Sequence, residues 1–117
     1  MTAIVYAFIP NPKIIDIGKV KITVENATVI RQEILEFLKT YPEGKVKLKF
    51  DKYVGLTKEF CDELSKKLVT DTNFDWDKNG NKISCSNICP EDSVIAGQSI
   101  ADGEVELAFN QAKAKSS

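Results

Sequence analysis

At 117 residues the chain is long enough for one domain whose core needs no disulfide bonds. Its net charge of −1, with 43% hydrophobic and 28% charged residues, is ordinary for a globular protein and provides no positive field for binding a nucleic-acid duplex. The chain contains no histidine, so the commonest general acid and base and the commonest metal ligand are missing. These totals argue against nucleic-acid binding and against most hydrolase mechanisms.

The first apolar run, residues 3–9, is followed by Pro10-Asn11-Pro12. No basic region precedes it and it is too short to span a bilayer, so we predict a buried strand rather than a signal or a membrane segment. Without an export signal, Cys61, Cys85 and Cys89 are expected to be reduced thiols in a cytoplasmic protein.

Two elements are predicted between residues 13 and 41. After Gly18 the sequence alternates between apolar and polar residues, which predicts a strand over 19–24. From Asn26 the apolar spacing becomes helical, and Pro42 and Gly44 follow, so we predict a helix over Asn26–Tyr41.

Residues 45–69 carry the clearest pattern in the chain. Lys45–Phe50 alternates again and is predicted to be a strand parallel to the preceding one, as in a strand–helix–strand crossover. A turn over Asp51–Leu56 then leads to Thr57, which is the residue type of a helix N-cap, and to a helix ending near Val69. Cys61 falls on the buried stripe of that helix and is predicted to be a structural thiol.

The last third of the chain is less regular. Asn79-Gly80 between two short apolar segments predicts a hairpin over residues 70–86, and Pro90–Ala101 is predicted to be a short third helix. Residues 104–109 alternate, so strand is preferred there over helix. The sequence therefore predicts one α/β domain over residues 1–112, with a mixed β-sheet, two main helices and a short third helix, followed by a flexible tail over 113–117.

Two patterns in the sequence contain residue types that bind metal ions. Asp75, Asp77, Asn79 and Gly80 match the opening of a calcium-binding loop, but Ser86 stands at the twelfth position, where a bidentate carboxylate is needed. We therefore favour a hairpin turn over a calcium site.

Cys85 and Cys89 could supply two thiolates to zinc, but the chain does not complete a common Cys/His set of four ligands by itself. No metal or cofactor is predicted. An enzyme that uses Cys89 or paired carboxylates is disfavoured, because no base is placed near a nucleophile.

Lysines line two predicted strand faces, Lys45, Lys47 and Lys49 on one and Lys19 with Lys21 on the other. A solvated or edge-protecting face is favoured over a site for an acidic partner.

The turn before the second helix is the main candidate site. It consists of Val54, Gly55, Leu56, Thr57, Lys58 and Glu59. In a parallel sheet, ligands and partners bind beyond the carboxyl ends of the strands, where this turn is expected to lie. Thr57 is interpreted as a structural cap in preference to a modifiable hydroxyl.

The residues from Val46 to Leu64 resemble the STAS-like proteins, relatives of anti-sigma-factor antagonists. That family has an aliphatic strand ending in Asp-Phe, a turn, and then Ser-Ser-Phe-x-Asp-Glu-Leu. The matching positions are Leu48, Phe50, Leu56, Phe60, Asp62, Glu63 and Leu64. Residues 19–38 fit the preceding strand and first helix of the same fold, so the resemblance implies a STAS-like fold.

The chain departs from the family where function would lie. The aspartate of the family's strand is Lys49 here, and the serine that is phosphorylated in classical STAS switches is replaced by Glu59. A phosphorylation cycle at that position is therefore not available.

Two functions remain open. The first is a non-enzymatic regulatory module that binds a protein partner through residues 54–60, and the resemblance implies an ATPase or kinase of the histidine-kinase-like fold as that partner. The alternative is a small phage or mobile-element accessory or inhibitor protein that acts by protein binding. Neither hypothesis includes a membrane.

Overall fold

The computed structural model describes residues 10–115. Within these residues three strands form one parallel sheet in the order β1-β2-β3, and they are β1 (Lys13–Asp16), β2 (Val46–Lys52) and β3 (Ile83–Ile88). In the sheet register Leu48 lies between Ile15 and Cys85. The predicted α/β fold is confirmed.

In the described part of the chain, five α-helical segments accompany the sheet. They are α1 (Val24–Thr40), α2 (Lys58–Cys61), α3 (Lys67–Thr70), α4 (Trp76–Asn79) and α5 (Pro90–Lys115). A π-helical stretch, Asp62–Lys66, joins α2 to α3 without a break, and we call the whole run of residues 58–70 the central helix. Short 3₁₀ turns cover Ile17–Lys19 and Gly80–Lys82.

The core lies on one face of the sheet. In β2 the side chains of Val46, Leu48 and Phe50 are buried, while Lys47 and Lys49 are exposed, as the alternation in the sequence predicts. Helix α1 buries the positions spaced three, four or seven apart that a helix places on one side, Ala27, Ile30, Ile34 and Leu38. The central helix adds Phe60, Cys61, Leu64 and Leu68 to the same cluster.

The predictions for α1, β2 and the central helix are confirmed to within a few residues. Helix α1 begins at Val24, two residues before the predicted Asn26, because the Thr23 hydroxyl accepts a hydrogen bond from the Asn26 N–H at 3.1 Å and so caps the helix. Strand β2 is parallel to the strand before it.

The strand predicted over residues 19–24 is wrong. The strand that pairs with β2 is Lys13–Asp16, and the chain then passes through the 3₁₀ turn and a loop before α1. Val20 and Ile22 still pack against the core, so the apolar alternation reflects loop side chains that point inward rather than a strand.

The hairpin predicted over residues 70–86 is also wrong. Asn79 (φ −108°) and Gly80 (φ −60°) do not have the positive φ angles that a type I′ turn requires, and they lie in successive right-handed helical turns. Strand β3 pairs in parallel with β2 rather than with its own neighbouring residues. All strand pairs within the described range are parallel, so the antiparallel pairs expected here are not formed.

The C-terminal prediction needs a similar correction. The predicted short helix over 90–101 continues through the predicted strand over 104–109 and reaches Lys115, giving a helix of 26 residues. Residues 3–9, predicted to be a strand, lie outside the described residues, as do Ser116 and Ser117. Within residues 10–115 no helix is both long and apolar enough to cross a membrane.

Candidate functional site

The predicted site lies where the carboxyl ends of two strands meet. Lys52 at the end of β2 is paired with Ile88 at the end of β3, after a register shift that begins at Lys49. The chain leaving β2 forms the turn, and the chain leaving β3 begins α5, so the two segments lie side by side. The expectation that residues 54–59 follow the carboxyl end of a parallel strand is therefore confirmed.

A carboxylate from α5 holds this turn. Asp92, whose side chain is completely buried, accepts hydrogen bonds from the Val54 N–H at 2.8 Å and from the Leu56 N–H at 2.9 Å. The Cys89 thiol donates a third hydrogen bond to Asp92 Oδ2, at 3.3 Å. These three hydrogen bonds compensate for the cost of burying the carboxylate charge, and they fix the backbone of the turn.

These hydrogen bonds also control protonation. Burial by itself would raise the pKa of the Asp92 carboxyl, but the Val54 and Leu56 N–H groups and the Cys89 thiol outweigh it and hold the pKa below its ordinary value. Asp92 is therefore ionised at neutral pH. It also lies in the first turn of α5, where the helix dipole favours a negative charge.

Sequence reasoning missed Asp92 as a part of the site. Glu91 and Asp92 follow Pro90, where acidic residues are favourable for the N-terminus of the predicted helix. Their position after Pro90 gives no signal that one of them reaches across to a turn 36 residues earlier. Only the parallel pairing of β2 with β3 brings the two segments together.

Within the turn, Gly55 has φ +73°, a conformation that favours glycine. Val54 is half-buried and Leu56 is buried, so the apolar side chains of the turn point inward. Thr57 and Glu59 are exposed, and so is the ring of Tyr53, at 68%. The outer surface of the turn therefore presents an aromatic ring, a threonine and a carboxylate.

Thr57 is the N-cap of the central helix, as predicted. Its hydroxyl accepts a hydrogen bond from the Phe60 N–H at 3.1 Å. This bond satisfies one of the backbone donors that a helix start leaves free.

Lys58 joins the central helix to α5. Its ammonium group lies 2.8 Å from Asp102 Oδ2 and 2.7 Å from Asp62 Oδ1. Asp102 and then Asp62 raise the pKa of Lys58, so this amine remains protonated. The completely buried Ser99 donates a hydrogen bond to the same Asp62 oxygen at 2.8 Å.

The π-helical stretch connects the central helix to both of its neighbours. Asp62 contacts α5 through Ser99, and the next residue, Glu63, contacts α1. Glu63 Oε1 accepts hydrogen bonds from the Thr28 hydroxyl at 2.8 Å and from Arg31 Nη2 at 3.0 Å. The helix start that carries the candidate site is thus fixed on both sides.

The three thiols are not activated. Burial raises the pKa of Cys61 to about 12 and also raises the pKa values of Cys85 and Cys89. All three cysteines are free. Because the thiolate is the nucleophilic form, these residues are protonated and weakly reactive at neutral pH.

The residues of the two candidate metal sites lie within the described part of the chain. Within residues 10–115 no group of three or more His, Cys, Asp or Glu side chains is arranged to hold a metal ion. Asn79, part of the candidate calcium loop, uses its carboxamide to contact the Phe74 carbonyl and Lys82.

The lysines of β2 lie on the exposed face of the sheet. Ile14, 61% exposed, is in register with Lys47 on that face, and Lys45 and Lys49 are also exposed. Lys19 lies instead in a 3₁₀ turn, with its ammonium group 3.8 Å from Asp16.

Comparison with known proteins places the chain in no family: no protein-family model, no curated protein and no solved structure matches it.

Proposed function

We propose that this protein is a non-enzymatic interaction module that binds a protein partner through the turn at residues 53–59 and the start of the central helix. The observation that carries the proposal is that the Asp92 carboxylate accepts hydrogen bonds from the Val54 and Leu56 N–H groups, an arrangement we call the Asp92 clamp. It fixes the backbone of the turn while Tyr53, Thr57 and Glu59 remain exposed. A surface that is ordered before binding loses less conformational entropy when the partner arrives.

The side chains on this surface suit protein recognition. Tyrosine is among the residues that contribute most to binding at protein interfaces, because its ring buries a large area and its hydroxyl can hydrogen-bond. Glu59 adds an exposed carboxylate to the same turn, which selects a partner with a complementary basic group.

The polar groups of the site favour binding over catalysis. The Thr57 hydroxyl, the Lys58 ammonium and the Asp92 carboxylate are each engaged in a contact that holds the fold. The thiols have raised pKa values, and the chain contains no histidine. No activated nucleophile and no nucleophile–base pair therefore stands ready for a substrate here.

The resemblance of residues 46–64 to STAS-like proteins supports a regulatory role and suggests the class of partner to test first, an ATPase of the histidine-kinase-like fold. In such a role Glu59 would be a permanent negative charge in the place of a phosphorylated serine. The partner's affinity would then not depend on a phosphorylation cycle at this position.

Affinity capture tests the proposal. The immobilised full chain is incubated with extract of its own source cells, and with purified histidine-kinase-like ATPase domains, and bound proteins are quantified by mass spectrometry. We expect Glu59→Lys to reduce capture of the bound partner about tenfold, which corresponds to about 1.4 kcal/mol. Glu36→Lys makes the same charge change at an exposed position of α1 and should retain capture. Equal capture by Glu59→Lys and the unchanged chain would exclude this surface.

A further inference from the structure

Helix α5 buries polar residues and exposes apolar ones. Asp92 and Ser99, both completely buried, and Gly103 face the rest of the protein. On the opposite side Val94 and Val105 are each 71% exposed. Ile95 and Ala96 pack against the core, so α5 carries apolar residues on both its inner and its outer side. A surface helix ordinarily has apolar residues only on the side that faces the core, so the exposed valines are unusual.

Five exposed apolar residues lie along one side of α5. Val94, Ala101, Val105, Ala108 and Ala112 are separated by seven, four, three and four residues, and all are exposed. This is the heptad spacing that lets one helix pack along another. We call these five residues the outer stripe.

Side chains beside the outer stripe extend it. The ring of Phe109 is 67% exposed at its flank, and the space where a Cβ of Gly97 would lie is open, with nothing within 4 Å. Three alanines and an open glycine allow a second helix to approach closely, because interhelical distance is set by the side chains at the contact. Contiguous exposed apolar surface of this kind marks an interaction site.

The charges at the two ends of α5 indicate what would cover the stripe. Glu91 lies in the first turn of the helix, and Lys113 and Lys115 lie in the last turn. Two copies of α5 packed antiparallel would bring the acidic end of each helix beside the basic end of the other, and their helix dipoles would also be opposed. A parallel pair would place like charges together at both ends.

We propose that the outer stripe is the contact of a homodimer, in which α5 packs antiparallel against α5 of a second copy of this chain. The main body of each copy lies on the far side of its own α5, so two stripes can meet without contact between the bodies. Val105 of one copy then lies near Ala101 of the other, close to the two-fold axis. This contact uses a different surface from the turn at residues 53–59, and it stands or falls independently of the proposed function.

Sedimentation equilibrium tests the dimer. We expect the mass of the full chain to rise with concentration from 13.0 kDa toward twice that value. Val105→Glu places a charge in the stripe and should raise the dimer dissociation constant by at least about tenfold. Val29→Glu is the matched control, because Val29 is an exposed valine on α1, at 55%, and should leave the dimer unchanged.

Thermal unfolding followed by circular dichroism confirms that both variants are folded before they are compared. A wild-type chain that remains monomeric up to about 1 mM, a concentration at which even a weak homodimer is populated, would overturn the proposal. So would a Val105→Glu variant that dimerises as strongly as the wild type.

Disulfide trapping tests the antiparallel direction. The cysteines to be trapped are introduced into a chain that carries Cys85→Ser and Cys89→Ser. Positions 94 and 112 of one helix are about 27 Å apart, which is too far for a disulfide within one chain. In the antiparallel dimer, position 94 of one copy lies near position 112 of the other. We expect covalent dimers only when Val94→Cys and Ala112→Cys are both present. Efficient trapping by Val94→Cys alone would indicate a parallel pair and would contradict the proposed geometry.

Discussion

Asp92 determines the shape of the candidate site more than any residue within the turn does. Its buried carboxylate bridges two backbone N–H groups of the turn, and the Cys89 thiol completes the arrangement. A buried charge is destabilising unless it is well hydrogen-bonded. The three donors compensate for that cost and make the carboxylate a rigid link between β2 and α5.

Replacing Asp92 with Asn is expected to lower the free energy of unfolding by about 2 to 3 kcal/mol, because two backbone donors lose a charged acceptor and one faces an amide N–H₂. Urea unfolding at pH 7 measures the change. Asp102→Asn is the control. It removes a carboxylate from a solvent-screened ion pair with Lys58, so its cost should be clearly smaller than that of Asp92→Asn. An equal loss in the free energy of unfolding for the two variants would contradict a stabilising role of the Asp92 clamp.

The Asp92→Asn variant should also change the pH dependence of stability. The folded-state pKa of Asp92 is below its ordinary value. Its contribution is therefore complete above the unfolded-state pKa of about 3.9 and is lost as pH falls through the lower folded-state pKa. Asp92→Asn should consequently lose less stability than the wild type between neutral pH and pH values below about 4. An identical acid dependence would mean that Asp92 is not held ionised.

At the scale of elements, the position of α5 depends on its close approach to the central helix. A Cβ atom on Gly103 would lie 2.9 Å from Val69 Cβ and 3.3 Å from the Lys66 carbonyl oxygen. No side chain fits there without moving one helix. This contact lies on the side of α5 opposite the outer stripe, and it aligns Asp92 and Ser99 with their partners on the other elements.

Gly103→Ala is expected to destabilise the protein by about 1 to 3 kcal/mol, since the overlap with Val69 outweighs the better helix propensity of alanine. Gly97→Ala is the matched substitution in the same helix, where a Cβ meets nothing within 4 Å. It should stabilise the protein by about 0.5 to 1 kcal/mol. Both changes in the free energy of unfolding are measured by urea unfolding at low micromolar protein concentration, where self-association of the chain contributes little. Stabilisation by both substitutions would show that the two helices are not in close contact.

The elements that could be predicted from the sequence are those whose signals are local. The alternation in β2, the helical spacing of α1 and the Thr57 cap all lie within a few residues of the structure they specify. The position of the turn between β2 and the central helix could be predicted for the same reason, because it lies between a clear strand and a clear cap.

The missed features depend on contacts between distant residues. Asn79-Gly80 has the composition of a hairpin turn, but β3 gains its hydrogen bonds from β2 rather than from a neighbouring strand. Val105 and Phe109 alternate with polar residues as in a strand, yet they lie four residues apart on the exposed side of a helix. Asp92 could not be recognised because its partners are defined only by the parallel order of β2 and β3.

At the scale of the whole molecule, the parallel sheet brings the ends of β2 and β3 together and so lets α5 support the turn that follows β2. The central helix is fixed to α1 through Glu63 and to α5 through Asp62. The exposed surface of Tyr53, Thr57 and Glu59 is therefore held by contacts from two sides of the fold. In the proposed function, this support is what allows a short turn to recognise a partner.

Partner capture by Asp92→Asn tests most directly whether the support of the turn by Asp92 is needed for partner binding, because the substitution leaves every exposed residue of the turn unchanged. Capture is measured at a temperature well below the unfolding midpoint of each variant, with Asp102→Asn as the control. We predict that Asp92→Asn captures about tenfold less partner than the wild type, a change of about 1.4 kcal/mol in binding, whereas Asp102→Asn captures as much. Full capture by a folded Asp92→Asn variant would contradict the proposal that the clamped turn is the binding surface.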